Sequence, residues 1–244
     1  MVQYIEKHRF SRTLCSLVLL GGLVSAMLAP SSHAAPPLPP PYEDLVQVKS
    51  KKLDTVYLLP GADFSGYSKI IVDPVQVSFR KNWVKETNRS RGLSGKIDEE
   101  DAQRIAQAAR SGFESIFTSA FKAKGYEVVT NPGGDVLRLS PAIANLYINA
   151  PQSGGPGISR TYTVEAGGAT LVLEARDSTT GAILGVAIDR SETRGSGYAT
   201  LTSSVSNRAD FEQLFRRWAD ICVKGFEQLK ATPAVQTPQT DKRK

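Results

Sequence analysis

Ala169-Thr170-Leu171-Val172-Leu173-Glu174-Ala175-Arg176-Asp177 runs into Ser178-Thr179-Thr180-Gly181, and Ile183-Leu184-Gly185-Val186-Ala187-Ile188-Asp189-Arg190-Ser191-Glu192 follows. Two β-rich runs on either side of a short turn with glycine at its end predict an antiparallel hairpin. Outward from it, Val136 to Ile148 reads as a long strand that bends at Pro141, and Tyr126 to Thr130 as a short one. Lys69 to Phe79 places Ile70 and Val72 on one phase and Val75, Val77 and Phe79 on the other. Pro74 sits at the change, which predicts a bulge or an edge position.

Two helices frame these strands. Asp98 is placed as an N-cap, and Glu99, Glu100 and Asp101 complement the positive end of the helix dipole. Ile105, Ala109, Phe113, Ile116, Phe117, Ala120 and Phe121 then recur with a period near 3.6, and Gly125 is placed to end the helix. The second helix starts near Asn207. Its stripe is Phe211, Leu214, Phe215, Trp218, Ile221, Cys222, Gly225 and Leu229, and it fades before Pro233. The order β, α, β, β, glycine-rich connection, β, β, α predicts an α+β fold. The expected form is a single domain, a mainly antiparallel sheet with two long amphipathic helices packed on one face.

The N-terminus reads as an address. Lys7, Arg9 and Arg12 precede an apolar run from Leu14 to Leu28, and Ser32 and Ala34 stand at the −3 and −1 places of a signal-peptidase site. The run falls short of the roughly 20 residues needed to cross a bilayer. Residues 1–34 are therefore expected to be a signal peptide cut after Ala34, which sends the chain to the periplasm, with outer-membrane association or secretion as variants. Residues 35–55 read as a Pro-rich spacer and lead-in, 56–230 as the α+β domain, and 231–244 as a disordered basic tail.

Composition narrows the chemistry. The chain has 244 residues, 30 Lys and Arg against 24 Asp and Glu, two His, two Met and two Cys. Both histidines (His8, His33), both methionines and Cys15 lie in the segment expected to be removed. The mature chain would keep Cys222 alone, no His, and a net charge of about +4. That excludes Ser-His-Asp and Cys-His catalysis, His-ligated metals and an intrachain disulfide. No cofactor and no nucleic-acid partner is expected.

Tyr57-Leu58-Leu59-Pro60-Gly61-Ala62-Asp63-Phe64-Ser65-Gly66-Tyr67-Ser68-Lys69-Ile70-Ile71-Val72-Asp73-Pro74-Val75-Gln76-Val77-Ser78-Phe79 resembles the first block of a family of small exported bacterial proteins. Many of its members are lipoproteins, and it is classed as a domain of unknown function. Gly167-Gly168-Ala169-Thr170 through Gly181 to Asp189-Arg190 matches its second block, and Trp218-Ala219-Asp220 its closing block. The resemblance implies no catalytic residues. This chain lacks the lipidation cysteine of many members.

Two sets of residues could carry function. Arg80 to Lys96 gathers Arg80, Lys81, Lys85, Arg89, Arg91 and Lys96 around Trp83, with Glu86 as the one acid. Cations beside an aromatic suit an anionic partner, and the expected binding set is Arg80, Lys81, Trp83, Lys85, Arg89 and Arg91. The partner would be an envelope protein or an anionic envelope component. The other set is Asp63, Asp73, Asp177 and Asp189, which would support a hydrolase or a cation-dependent enzyme if they converged. Gly154-Gly155-Pro156-Gly157 lacks the spacing of a phosphate loop and reads as a flexible connection.

Overall fold

A computed structural model describes residues 42–89, 91–92, 95–151, 161–163, 165–193 and 200–232, all within the compact unit Leu38–Lys244. The expectations for residues 1–34, the proline run, Gly154 to Gly157 and the tail from Pro233 lie outside the described residues.

The elements run β1 (Val46–Val48), β2 (Thr55–Leu58), β3 (Lys69–Val72), β4 (Gln76–Phe79), α1 (Trp83–Arg89), α2 (Glu99–Ala123), β5 (Glu127–Val128), β6 (Val136–Ile148), β7 (Thr161–Thr163), β8 (Gly167–Asp177), β9 (Ile183–Glu192), β10 (Thr200–Thr202) and α3 (Ser204–Ala231). The main sheet has the order β1-β2-β9-β8-β6-β3-β5, and β4 also pairs β6. The β1, β2, β9, β8 and β6 pairings are antiparallel, while β3 and β4 join β6, and β5 joins β3, in parallel. β7 and β10 form a separate antiparallel ribbon. The fold is α+β, mostly antiparallel, with helices packed against the sheet. The sheet reaches further toward the N-terminus than the sequence reading: β1 lies inside the stretch taken as lead-in.

The expected break at Pro74 separates β3 from β4. Pro141 stands opposite that break, between Leu139, which pairs Val72, and Ala142, which pairs Gln76, so its missing N–H costs that ladder nothing. The irregularity of β6 lies instead at Asn145, whose φ is 52°, where the register with β8 shifts between Ala144 and Tyr147. The extra residue moves the core-facing phase from Leu137, Leu139 and Ile143 to Leu146 and Ile148.

Asp98 caps α2 through a capping box with Asp101, and Gly125 follows at φ 87°. Ser203 caps α3 with Ser206 in the same way, slightly earlier than the start expected near Asn207. Phe113, Phe117 and Phe121 of α2 meet Phe211, Phe215, Trp218 and Phe226 of α3 in one buried aromatic seam, with Phe113 edge-on to Phe215 at 5.4 Å. Trp218 has 0% exposure and donates its indole N–H to Asp189 Oδ2 at 2.7 Å.

Candidate functional site: a cleft between the two long helices

The four aspartates do not converge. Asp63 accepts from the Ser65 N–H at 2.8 Å in a local turn, which lowers its pKa. Asp73 is bound by Arg138 Nε at 3.0 Å and by the Ser140 hydroxyl at 2.6 Å. Asp177 closes the β8–β9 turn: the hydroxyl of Thr179 and the N–H of Thr180 hold its carboxylate far below the usual range, and the Tyr67 hydroxyl also donates to it. Asp189 pairs Leu171, six positions from Asp177 along β8, or roughly 20 Å at strand rise. It lies under Trp218, where the Ser191 hydroxyl also donates to it. The register thus separates the two hairpin aspartates.

The basic connection is partly built into the fold. Trp83 is 2% exposed, stacks on Phe79 at 4.6 Å and donates to the Ile148 carbonyl at 3.1 Å, so it is a core anchor rather than a contact for a partner. Arg91 donates to the carbonyls of Gly95 and Pro151 at 2.9 and 2.7 Å, and burial lowers its pKa. Arg80 lies 4.4 Å from the centre of the Tyr147 ring and reaches Glu86 at 3.5 Å. Lys81, Lys85 and Arg89 remain exposed. Lys85 and Arg89 are four residues apart on α1, hence on one side of it.

A cavity of 580 Å³ opens where the N-terminal half of α2 faces the first turns of α3, above the end of β6. That volume lies within the range of clefts that bury small molecules. Small residues on α2 make the space: Ala108, Ala109 and Gly112 stand opposite Phe211 and Phe215. A Cβ on Gly112 would meet only Phe215, at 3.9 Å. Leu146 and Ile148 form the floor. The wall is largely apolar, with Ser111, Ser204 and Asn207 as its uncharged polar members. Asn207, 8% exposed, donates its Nδ2 to the Ala150 carbonyl at 3.1 Å, which fixes the amide, and its Oδ1 has no partner. A buried acceptor left without a donor costs roughly 1–3 kcal/mol. Arg104, Arg208 and Glu212 edge the cleft, Arg104 held by Asp101 and Glu212 bonded to Arg216. The basic connection abuts this site, because Trp83 and Arg91 bond the carbonyls of Ile148 and Pro151, two residues that line it.

Reading apolar stripes did not reveal the cleft, since a stripe counts side chains and not the space between them. The available signal was Asn207 itself. It sits four residues before Phe211, on the phase of the apolar stripe where a polar amide needs a reason.

The profile of a family described as "Protein of unknown function (DUF3313)" matches residues 34–221, and the chain belongs to that family. No curated protein matches the chain. Among solved structures, it is similar to the PelC dodecamer from Paraburkholderia phytofirmans at 14% identity and TM-score 0.30, covering 67% of this chain and 95% of that one. It is similar to protein XCC0632 from Xanthomonas campestris, of family DUF330, at 11% identity and TM-score 0.38, covering 70% and 88%. A neuraminyllactose-binding hemagglutinin homologue (so described) from Helicobacter pylori matches at 10% identity and TM-score 0.31, covering 70% and 94%. None of these lends this chain a ligand or an assembly. Among the described residues no helix is long and apolar enough to cross a membrane.

Proposed function

We propose that this chain is an exported, non-enzymatic binding module of the bacterial cell envelope, that it recognises an anionic envelope component, and that the α2–α3 cleft is where it does so. The observation that carries the reading is a 580 Å³ cleft with an apolar wall and the exposed Arg208 at its edge, a cation with no carboxylate within ion-pair distance among the described residues. Catalysis by an aspartate cluster draws no support, because each of the four carboxylates is engaged by its own neighbours. Export rests on the basic, apolar and small-residue pattern of residues 1–34.

The test uses protein processed in a secreting host. Intact mass should place the N-terminus at Ala35, and a mass that retains residues 1–34 would refute export. After incubation with envelope extract, native mass spectrometry should show a small-molecule adduct on the wild type that is lost in Gly112→Leu, which fills the cleft. An adduct retained by Gly112→Leu would move the site elsewhere.

A further inference from the structure

We infer that β4 is a docking edge, at which an extended, acid-tipped segment of another protein adds a strand to the main sheet. The inference is independent of the cleft and concerns a second surface.

The ladder fixes which main-chain groups are free. Val77 pairs Ile143 and Phe79 pairs Leu146 in β6, and the Arg80 N–H donates to the Leu146 carbonyl. The extra residue in this pairing is Asn145 of β6, so β4 itself is regular. Successive residues of a regular strand turn their N–H and C=O groups to opposite sides. Gln76, Ser78 and Arg80 therefore turn toward β6, whereas Val75, Val77 and Phe79 turn away from it. No strand lies on that outer side of β4. Val75 is closed off there by α2: its N–H donates to Glu114 Oε1 at 2.9 Å, and its carbonyl accepts from Arg110 Nε at 3.0 Å. The outward groups of Val77 and Phe79 have no partner among the described residues. Beside β3 the same row of the sheet is filled, because β5 pairs Lys69 and Ile70 and then leaves. A strand on β4 would continue the row that β5 begins.

The other free edges of the main sheet are guarded by shortness and charge. β1 is three residues long and is followed by Lys49, Lys51 and Lys52, and β5 is two residues long and contains Glu127. Gln76 to Phe79 carries neither charge nor proline, and Gln76 and Ser78 are exposed.

Charge selects the occupant. Arg80 and Lys81 follow directly on Phe79. Arg80 is shared between the Tyr147 ring and Glu86, while Lys81 is exposed and has no carboxylate within ion-pair distance among the described residues. At the opposite end of β4, Asp73 is bound by Arg138, and Glu114 by the Val75 N–H. The uncommitted charge is positive and lies at one end. An extended segment with carboxylates beside Lys81 matches it, with the main chain supplying the pairing.

Two capped peptides test this, Glu-Glu-Thr-Val-Thr-Val-Thr and Thr-Val-Thr-Val-Thr-Glu-Glu, which place the acids at either end. Calorimetric titration into the mature full chain at low salt should show one of them binding, and the winner gives the strand direction. Ladder pairing has a phase. Methylating the amide nitrogens of alternate residues should weaken binding by about tenfold in one phase and spare it in the other. Val77→Pro removes an outward N–H and leaves the donors to β6 in place, so it should abolish binding with little change in melting temperature. Lys81→Glu should weaken binding by about threefold and favour a Lys-ended peptide instead. Gly112→Leu, which fills the cleft, should change nothing.

Binding of neither peptide overturns the inference, as does binding that both methylation phases weaken alike or that neither weakens. Should Val77→Pro fail to fold, the methylation phases decide alone. Equal binding of a peptide with Gln in place of Glu overturns the acidic partner. Loss of binding in Gly112→Leu moves the peptide to the cleft and overturns the edge. A dimer in sedimentation that Val77→Pro dissociates would mean that a second copy pairs along β4, which also overturns the inference.

Discussion

Trp218 couples volume to a polar contact. Its side chain is fully buried, and its N–H is one of three groups that face Asp189, with the Ser191 hydroxyl and the Asp54 N–H. Trp218→Ala should cost roughly 3–5 kcal/mol in urea unfolding. Trp218→Phe keeps most of the apolar volume and should cost about 1–3 kcal/mol, because Asp189 loses one donor and keeps two. A loss below about 1 kcal/mol for the alanine variant would mean that α3 is not seated as described. Four residues on, burial pushes the Cys222 thiol up to about 12, with the Asp189 charge as the second cause. The folded state therefore holds its proton where the unfolded chain releases it. The stabilisation is complete below the ordinary thiol value of 9.0 and is lost as pH rises toward 12. Tyr67 and Tyr42, also raised to about 12, act in the same direction at higher pH. The expected result is that native protein at pH 8 resists iodoacetamide until urea is added, and that Cys222→Ala flattens the first part of the alkaline decline.

At the scale of elements, the β6–β8 pairing depends on a close approach. Gly167 has φ 155°, and a Cβ there would lie 2.1 Å from the Tyr147 carbonyl oxygen, a distance no side-chain rotation relieves. Gly167→Ala should lower the melting temperature by more than any other single Gly→Ala change in the sheet. Gly225→Ala, in α3 with nothing within 4 Å of the added carbon, should raise stability by about 0.5–1 kcal/mol. The same contrast explains what the sequence could reveal. The β8–β9 hairpin, β6 and the two long helices were legible because period and caps are local. β1, β2 and α1 were not, because three-, four- and seven-residue elements gain their identity from partners distant in sequence, as Tyr57 does from Val186. The bend assigned to Pro141 fell at Asn145 for a related reason: the proline is harmless where the neighbouring strand is already broken.

On the scale of the molecule, the chain closes over the sheet from its N-terminal side. Tyr42 donates to Glu174, Leu45 is buried, and β1 covers the outer edge of β2. A chain shortened to begin at Lys51 would lose all three and leave β2 as an exposed edge. Such a truncation should melt lower and aggregate on heating. Of the candidate site, the cations of Arg80 to Lys96 were visible in the sequence as charges but not as partners. Trp83 and Arg91 are spent on main-chain carbonyls, and this became apparent only once β6 had placed Ile148 and Pro151 beside them.

The chain holds two tryptophans, Trp83 and Trp218, both withdrawn from water and both with the indole N–H donated, one to a carbonyl and one to a carboxylate. This gives the protein two intrinsic optical reporters of different provenance. Trp83 is tied to Ile148 in the cleft floor, while Trp218 is tied to Asp189 on β9. With Trp218 replaced by Phe, the remaining emission should begin blue and change when the cleft is filled. With Trp83 replaced instead, the remaining emission should also respond to cleft occupancy, through Phe215 of the cleft wall on which Trp218 stacks at 6.1 Å, and should redden when α3 leaves the sheet.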